Sequence, residues 1–195
     1  MSFPRGEVSS SASWSLVDER GQPVPAQTTV LDCWGDQSIR WMLVEFQAGA
    51  SANGASYYSL ASHSIAIGDR LTVTPSASGL AVNTRRAQFV VPGSGAMAIA
   101  EARVGAQTVL TDLTVEAEDA DGESYKLSVR RSSITRAGPL TAVVFLEGDL
   151  VTRDGTPWIE CSVTLQFHDG LGAVRVELSC TNPRAARHPD GIWDL

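Results

Sequence analysis

Lysine is all but missing: of the 15 basic residues only Lys126 is one, and the other cations are arginines. Arginine's planar fork suits bidentate recognition of carboxylates, although coding bias gives the same composition. Positive charge is also outweighed, because 22 acidic residues leave a net −7. That balance repels a polyanionic backbone and argues against nucleic acid as a partner. Cysteine is scarce too. Cys33, Cys161 and Cys180 show no Cys-x-x-Cys spacing and no histidine partner beside them, so neither a zinc knuckle nor a thioredoxin-type motif fits. No metal and no cofactor is expected. Each cysteine lies in or beside an apolar run, where a thiol behaves as a small hydrophobe; Cys161 and Cys180 pair only if their strands are neighbours.

Catalytic signatures are absent as well. There is no Gly-x-Ser-x-Gly elbow, no His-Glu-x-x-His, no Gly-x-Gly-x-x-Gly and no P-loop. His63 and His168 stand alone within or at the end of strand-like runs, the usual setting of a structural histidine. The first residues lack the basic-then-apolar pattern of a secretory signal, and no stretch approaches the roughly 20 apolar residues of a membrane span. The chain therefore reads as soluble, with no membrane partner and its compartment open.

What is present is strand periodicity. Apolar residues alternate or form short runs, and almost nowhere recur at helical spacing. Strands are expected at Thr28–Cys33, Ile39–Phe46, Tyr57–Ile67, Arg70–Thr74, Leu80–Asn83 and Gln88–Val91. In the second half they are expected at Gln107–Glu116, Ser124–Arg131, Thr141–Thr152, Trp158–Phe167 and Ala173–Cys180. Asp121-Gly122, Asp154-Gly155 and Asp169-Gly170 fall between strand candidates and mark hairpin turns. Val174 to Ser179 alternates as a half-buried strand, whereas Thr141 to Leu150 is apolar on both parities up to Glu147 and should be central and covered on both faces. A chain of 195 residues, 43% hydrophobic, fills one substantial core or two small ones. Small residues and a proline at Thr74–Gly79 read as a linker or long turn. The fold class is thus all-β, with a small barrel over residues 1–75 and an antiparallel β-sandwich over 76–195.

Two stretches concentrate chemistry. In Trp34-Gly35-Asp36-Gln37-Ser38-Ile39-Arg40-Trp41 a turn feeds a strand bracketed by tryptophans. The rings serve either as buried staples of the barrel or as a sugar-stacking platform, with Arg40 between them to hold a uronate carboxylate. Asp36 is expected to cap the turn through amides near Ser38. The other stretch runs from Asn182 to Leu195 and gathers Arg187, His188, Asp190, Trp193 and Asp194. His188 is a candidate general base or metal ligand, or else a turn residue.

Phe3-Pro4-Arg5-Gly6-Glu7-Val8, the Trp34–Trp41 stretch, and Asn182 with His188-Pro189-Asp190-Gly191-Ile192-Trp193-Asp194-Leu195 occur in an order that resembles the exo-rhamnogalacturonan lyase-like family. The resemblance implies an N-terminal RIFT-type β-barrel, then a β-sandwich, then large α/α toroid domains. The family pattern is nearer Trp-Pro-Asp-Gly-Ser-Ile-Arg-Trp and His-Pro-Gly-Gly-x-Trp-Asp-Leu-Gly-Asp, from which Gly35, Gln37 and Asp190 depart at turn positions.

Under that resemblance the chain is expected to stop inside a family motif, with the β-elimination machinery beyond Leu195 and no complete active site within it. Its partners would be the missing toroid and an acidic polysaccharide or oligosaccharide. Arg187, His188, Asp190, Trp193 and Asp194 would then line the substrate cleft or the domain interface. The alternatives are a freestanding carbohydrate-binding module using Trp34, Arg40 and Trp41, and a structural protein that pairs through its sheet edges.

Overall fold

A computed structural model describes residues 1–9, 14–49, 53–61, 68 and 70–181. Among them there are fifteen strands and no helix, so none is long and apolar enough to cross a membrane. The first five strands are β1 (Ser15–Asp18), β2 (Pro23–Val24), β3 (Ala26–Cys33), β4 (Ile39–Phe46) and β5 (Tyr58–Ala61). They form a three-stranded sheet in the order β2-β1-β5 and the two-stranded ribbon β3-β4. Val8, Ile39 and Met42 are buried together, with Phe3, Trp14, Val44 and Leu60 packed against them.

Ten further strands build two antiparallel sheets. One contains β6 (Thr72–Ser76), β7 (Gly79–Asn83), β8 (Gln88–Pro92), β9 (Ile99–Val104) and β10 (Gln107–Leu113). The other contains β11 (Glu116–Glu118), β12 (Ser124–Ala137), β13 (Thr141–Val151), β14 (Pro157–His168) and β15 (Val174–Thr181). In both, neighbours in space are neighbours in sequence. Their inner faces share one core, from Val82, Phe89, Val91 and Ile99 on one side to Leu127, Val144, Leu146, Val163, Leu165 and Phe167 on the other. Phe89 and Phe167 meet across it with ring centroids 5.0 Å apart.

Three expectations change. Thr74–Gly79 is no linker: β6 pairs with β7 across a two-residue turn, Ser76 opposite Gly79, and opens the second unit's sheet. The small residues there serve a tight hairpin. β13 is central, but its outer positions Val143 and Phe145 are only half-buried, because no layer among the described residues covers that face. β15 alternates yet leaves Val176 44% and Leu178 47% exposed. It is an edge strand, and its inward row lies outside the shared core except for Val174.

Four turns share one five-residue frame, in which the first amide bonds the fifth carbonyl and the fourth amide bonds the first carbonyl. They start at Asp18, Trp34, Asp119 and Thr152. The fourth position is left-handed in all four, at Gly21 (φ 73°), Gln37 (φ 67°), Gly122 (φ 82°) and Gly155 (φ 90°). Only the second carries a side chain there, at the position where the resembled family pattern has glycine. Holding an L-residue in that region costs about 1–2 kcal/mol, against which glycine loses about 0.5–1 kcal/mol more chain entropy on folding. Gln37→Gly is therefore expected to stabilise the protein by about 0.5 kcal/mol or slightly more, seen as a raised urea midpoint at unchanged slope. A lowered midpoint would show that the turn is unstrained.

Candidate functional site

The Trp34 turn is welded to the chain start. Trp34 Nε1 donates to the Phe3 carbonyl at 3.1 Å, Arg5 Nε reaches Asp36 Oδ2 at 3.1 Å, and the Gly6 amide donates to Ser38 Oγ at 2.9 Å. The Phe3 amide bonds the Arg40 carbonyl, and the Ile39 amide bonds that of Val8. Asp36 Oδ1 accepts from both the amide (3.0 Å) and the hydroxyl (2.6 Å) of Ser38. These two Ser38 bonds, aided by Arg5, hold its carboxyl below the usual carboxylate range. Asp36 is thus the turn cap expected of it. Phe3–Val8 and Trp34–Trp41, separate in sequence, make one interlocked structure.

This geometry fixes what the tryptophans can offer. Arg40 lies over the Trp34 ring, 4.8 Å from its centroid, while its Nη1 bonds Asp32 Oδ2 at 3.2 Å. Trp34 is half-buried, and Trp41, on the strand β4 and opposite Asp32, is 46% exposed. Neither belongs to the buried core. The aromatic pair packed there is Phe3 and Trp14, 5.9 Å apart; Trp14 stood outside every expected strand, so periodicity gave no signal for it. Arg187, His188, Asp190, Trp193 and Asp194 lie outside the described residues.

A polar cluster sits where the two units meet. Gln27, buried on β3, accepts at Oε1 from the amides of Leu140 (3.1 Å) and Thr141 (3.0 Å), and donates through Nε2 to the Thr141 carbonyl (3.3 Å). Glu45 on β4 pairs with Arg136 at 3.2 Å, and the Leu71 amide bonds the Pro139 carbonyl. Beside them a cavity of about 290 Å³ is lined by Val44, Glu45, Phe46, Gln47, Leu140, Thr141 and His168. His168 Nδ1 lies 3.3 Å from Thr141 Oγ1. Glu45 is already bound to a cation, so it and His168 make no free acid–base pair. The arrangement holds one unit against the other.

Asp169 completes the junction. Its side chain has no exposed surface, and Arg85 bonds both carboxylate oxygens, at 2.7 Å and 2.6 Å. Arg70 adds a third bond at 2.8 Å, while Gln47 Nε2 donates to the Asp169 carbonyl at 2.6 Å. Hydrogen bonding from Arg85, then from Arg70, outweighs burial and keeps this carboxyl low. The sequence signalled a turn at Asp169-Gly170 but not a buried carboxylate, because its partners are 84 and 99 residues away. Arg85 itself is left-handed (φ 66°), at the tip of the β7–β8 hairpin.

Next to that tip, Arg85, Arg86 and Arg103 line a cleft of about 190 Å³. Arg85 is committed to Asp169 and Arg103 to Glu101. Among the described residues no group of three or more His, Cys, Asp or Glu side chains is placed to hold a metal ion.

No curated protein matches this sequence. Residues 1–62 match the family model of the PcRGLX-like N-terminal RIFT barrel domain. The matched residues span the clasp between Phe3–Val8 and Trp34–Trp41 and all of β1–β5. In its first 62 residues, then, the chain is similar to the PcRGLX-like N-terminal RIFT barrel domain, consistent with the exo-rhamnogalacturonan lyase-like family to which its motifs pointed.

Proposed function

We propose that this chain supplies the front β domains of a polysaccharide lyase-like protein acting on acidic polysaccharide or oligosaccharide. Its two β units, divided between Leu60 and Leu71, scaffold an α/α toroid that carries the chemistry. The match over residues 1–62 carries this reading. The junction supports it, since Gln27, Glu45 and Gln47 are spent on holding the units together and the cavity beside them offers no free acid–base pair. Arg187, His188, Asp190, Trp193 and Asp194 are assigned to the toroid interface or the substrate cleft.

The test is a longer protein bearing the toroid, with Arg187, His188 and Trp193 replaced by alanine. Cleavage of rhamnogalacturonan oligosaccharides should fall at least about 10-fold, the usual scale for losing positioning groups. Full activity would overturn the reading. A freestanding carbohydrate-binding module is favoured by one observation, the exposed Trp41 beside Arg40. Calorimetric titration of the 195-residue chain with acidic oligosaccharides decides between them: a scaffold gives no heat and no change in tryptophan fluorescence.

A further inference from the structure

The cysteines that sequence spacing left unconnected are brought together by the fold. Cys161 on β14 stands directly opposite Cys180 on β15, with Glu160–Thr181 and Ser162–Ser179 as the flanking pairs. Their sulfurs are 3.2 Å apart. Directly opposed residues of an antiparallel pair have Cα atoms about 4.5 or 5.5 Å apart, and both spacings fall inside the roughly 4.4–6.8 Å that a disulfide spans. The pair is thus within reach of a disulfide. Cys161 is buried, whereas Cys180 is exposed because it lies on the edge strand.

We propose that Cys161 and Cys180 form a reversible cross-strand disulfide when the protein meets a small-molecule disulfide oxidant, making the β14–β15 edge a redox-sensitive site. The exposed Cys180 thiolate attacks one sulfur of the oxidant, RSSR, and releases RS⁻ to leave a mixed disulfide at Cys180. Cys161 then loses its proton and attacks Cys180 Sγ, expelling the second RS⁻. Overall, two protein thiols and RSSR give one protein disulfide and two RSH, so electrons and protons balance. Burial, then the neighbouring sulfur, pushes the Cys161 thiol up to about 12. The second step needs this buried thiol to lose its proton, so it quickens as pH rises. The bond ties β15 to the central part of its sheet, closing the hairpin that runs from one cysteine to the other.

The full chain treated with oxidised glutathione tests this. Thiol titration in denaturant should fall from three groups to one, Cys33 remaining, and the intact mass should drop by about 2 Da, the two hydrogens lost. The closure rate should climb by about tenfold per pH unit between 7 and 8.5, as the Cys161 thiolate fraction grows. The oxidised chain should melt about 5–10 °C higher, an effect that dithiothreitol reverses. Cys180→Ala, a change at an exposed position, should melt like the reduced protein and show neither the mass loss nor the shift. Three titratable thiols after treatment, a glutathione adduct that persists at pH 8.5, or the same mass loss in Cys180→Ala would each overturn the proposal.

Discussion

Asp169→Ala is expected to cost about 3 kcal/mol of stability, the scale for removing one partner from a buried ion pair. The low end of that range applies because Arg70 and Arg85, with 25% and 50% of their side-chain surface exposed, regain water once the carboxylate is gone. In compensation-free form the loss exceeds any surface ion pair of the molecule, which is worth about 1 kcal/mol at most. The effect has a pH signature. The folded-state carboxyl lies below its ordinary value, so its contribution is fully present above the unfolded value of about 3.9. It is lost as pH falls through the lowered folded value. Wild type and variant should therefore differ by a constant amount from about pH 5 to 8 and converge in stronger acid. Urea midpoints measured across that range check this; a difference that grows on acidification would show that Asp169 is not held as an anion.

Gly148→Ala should be comparably severe, at about 3 kcal/mol, near the upper end of the overpacking range. A Cβ at this position would lie 2.2 Å from the Ser128 carbonyl oxygen and 2.9 Å from Val129 Cα, both backbone atoms that cannot rotate away. The reason is local. β12 shifts register between Val129 and Arg131, and this irregularity falls where Gly148 pairs with Val129. Glycine inside a strand marks such close approach. Gly35→Ala is the control, because nothing lies within 4 Å of the added carbon. Denaturation midpoints should fall steeply for Gly148→Ala and hardly at all for Gly35→Ala; equal midpoints would mean that β12 yields at its bulge.

Much of the fold was legible in the sequence because its strands alternate or run apolar over their own length. β4 falls at Ile39–Phe46 as periodicity placed it, and all three Asp-Gly pairs sit in the connections between strands. β1 and β2 were not visible, being four and two residues long, and β9 was hidden in an Ala-rich run, Ile99-Ala100-Glu101-Ala102. The exposed inner row of β15 was illegible for another reason: alternation reports which residues share a face, not whether a second sheet reaches far enough to cover it. The junction was illegible too. Gln27 bonds residues more than 110 positions away, and a lone buried glutamine carries no local pattern. The clasp between Phe3–Val8 and Trp34–Trp41 was readable as two motifs but not as one structure.

The sheet order bears finally on how fast the chain reaches this state. Each sandwich sheet is a plain meander, β6 to β10 and β11 to β15, with every strand bonded to its sequence neighbours. Most backbone pairing therefore closes short loops, whose entropy is small, and each hairpin can form on the microsecond scale. Distant parts of the chain are joined by bonds at the junction, such as Gln27 to Leu140, and by the docking of one sheet on the other. That docking, with the long-range contacts that slow β-sandwich folding, sets the rate. Gly148 lies on β13, at the middle of one meander, so its replacement by alanine should slow refolding as well as hasten unfolding.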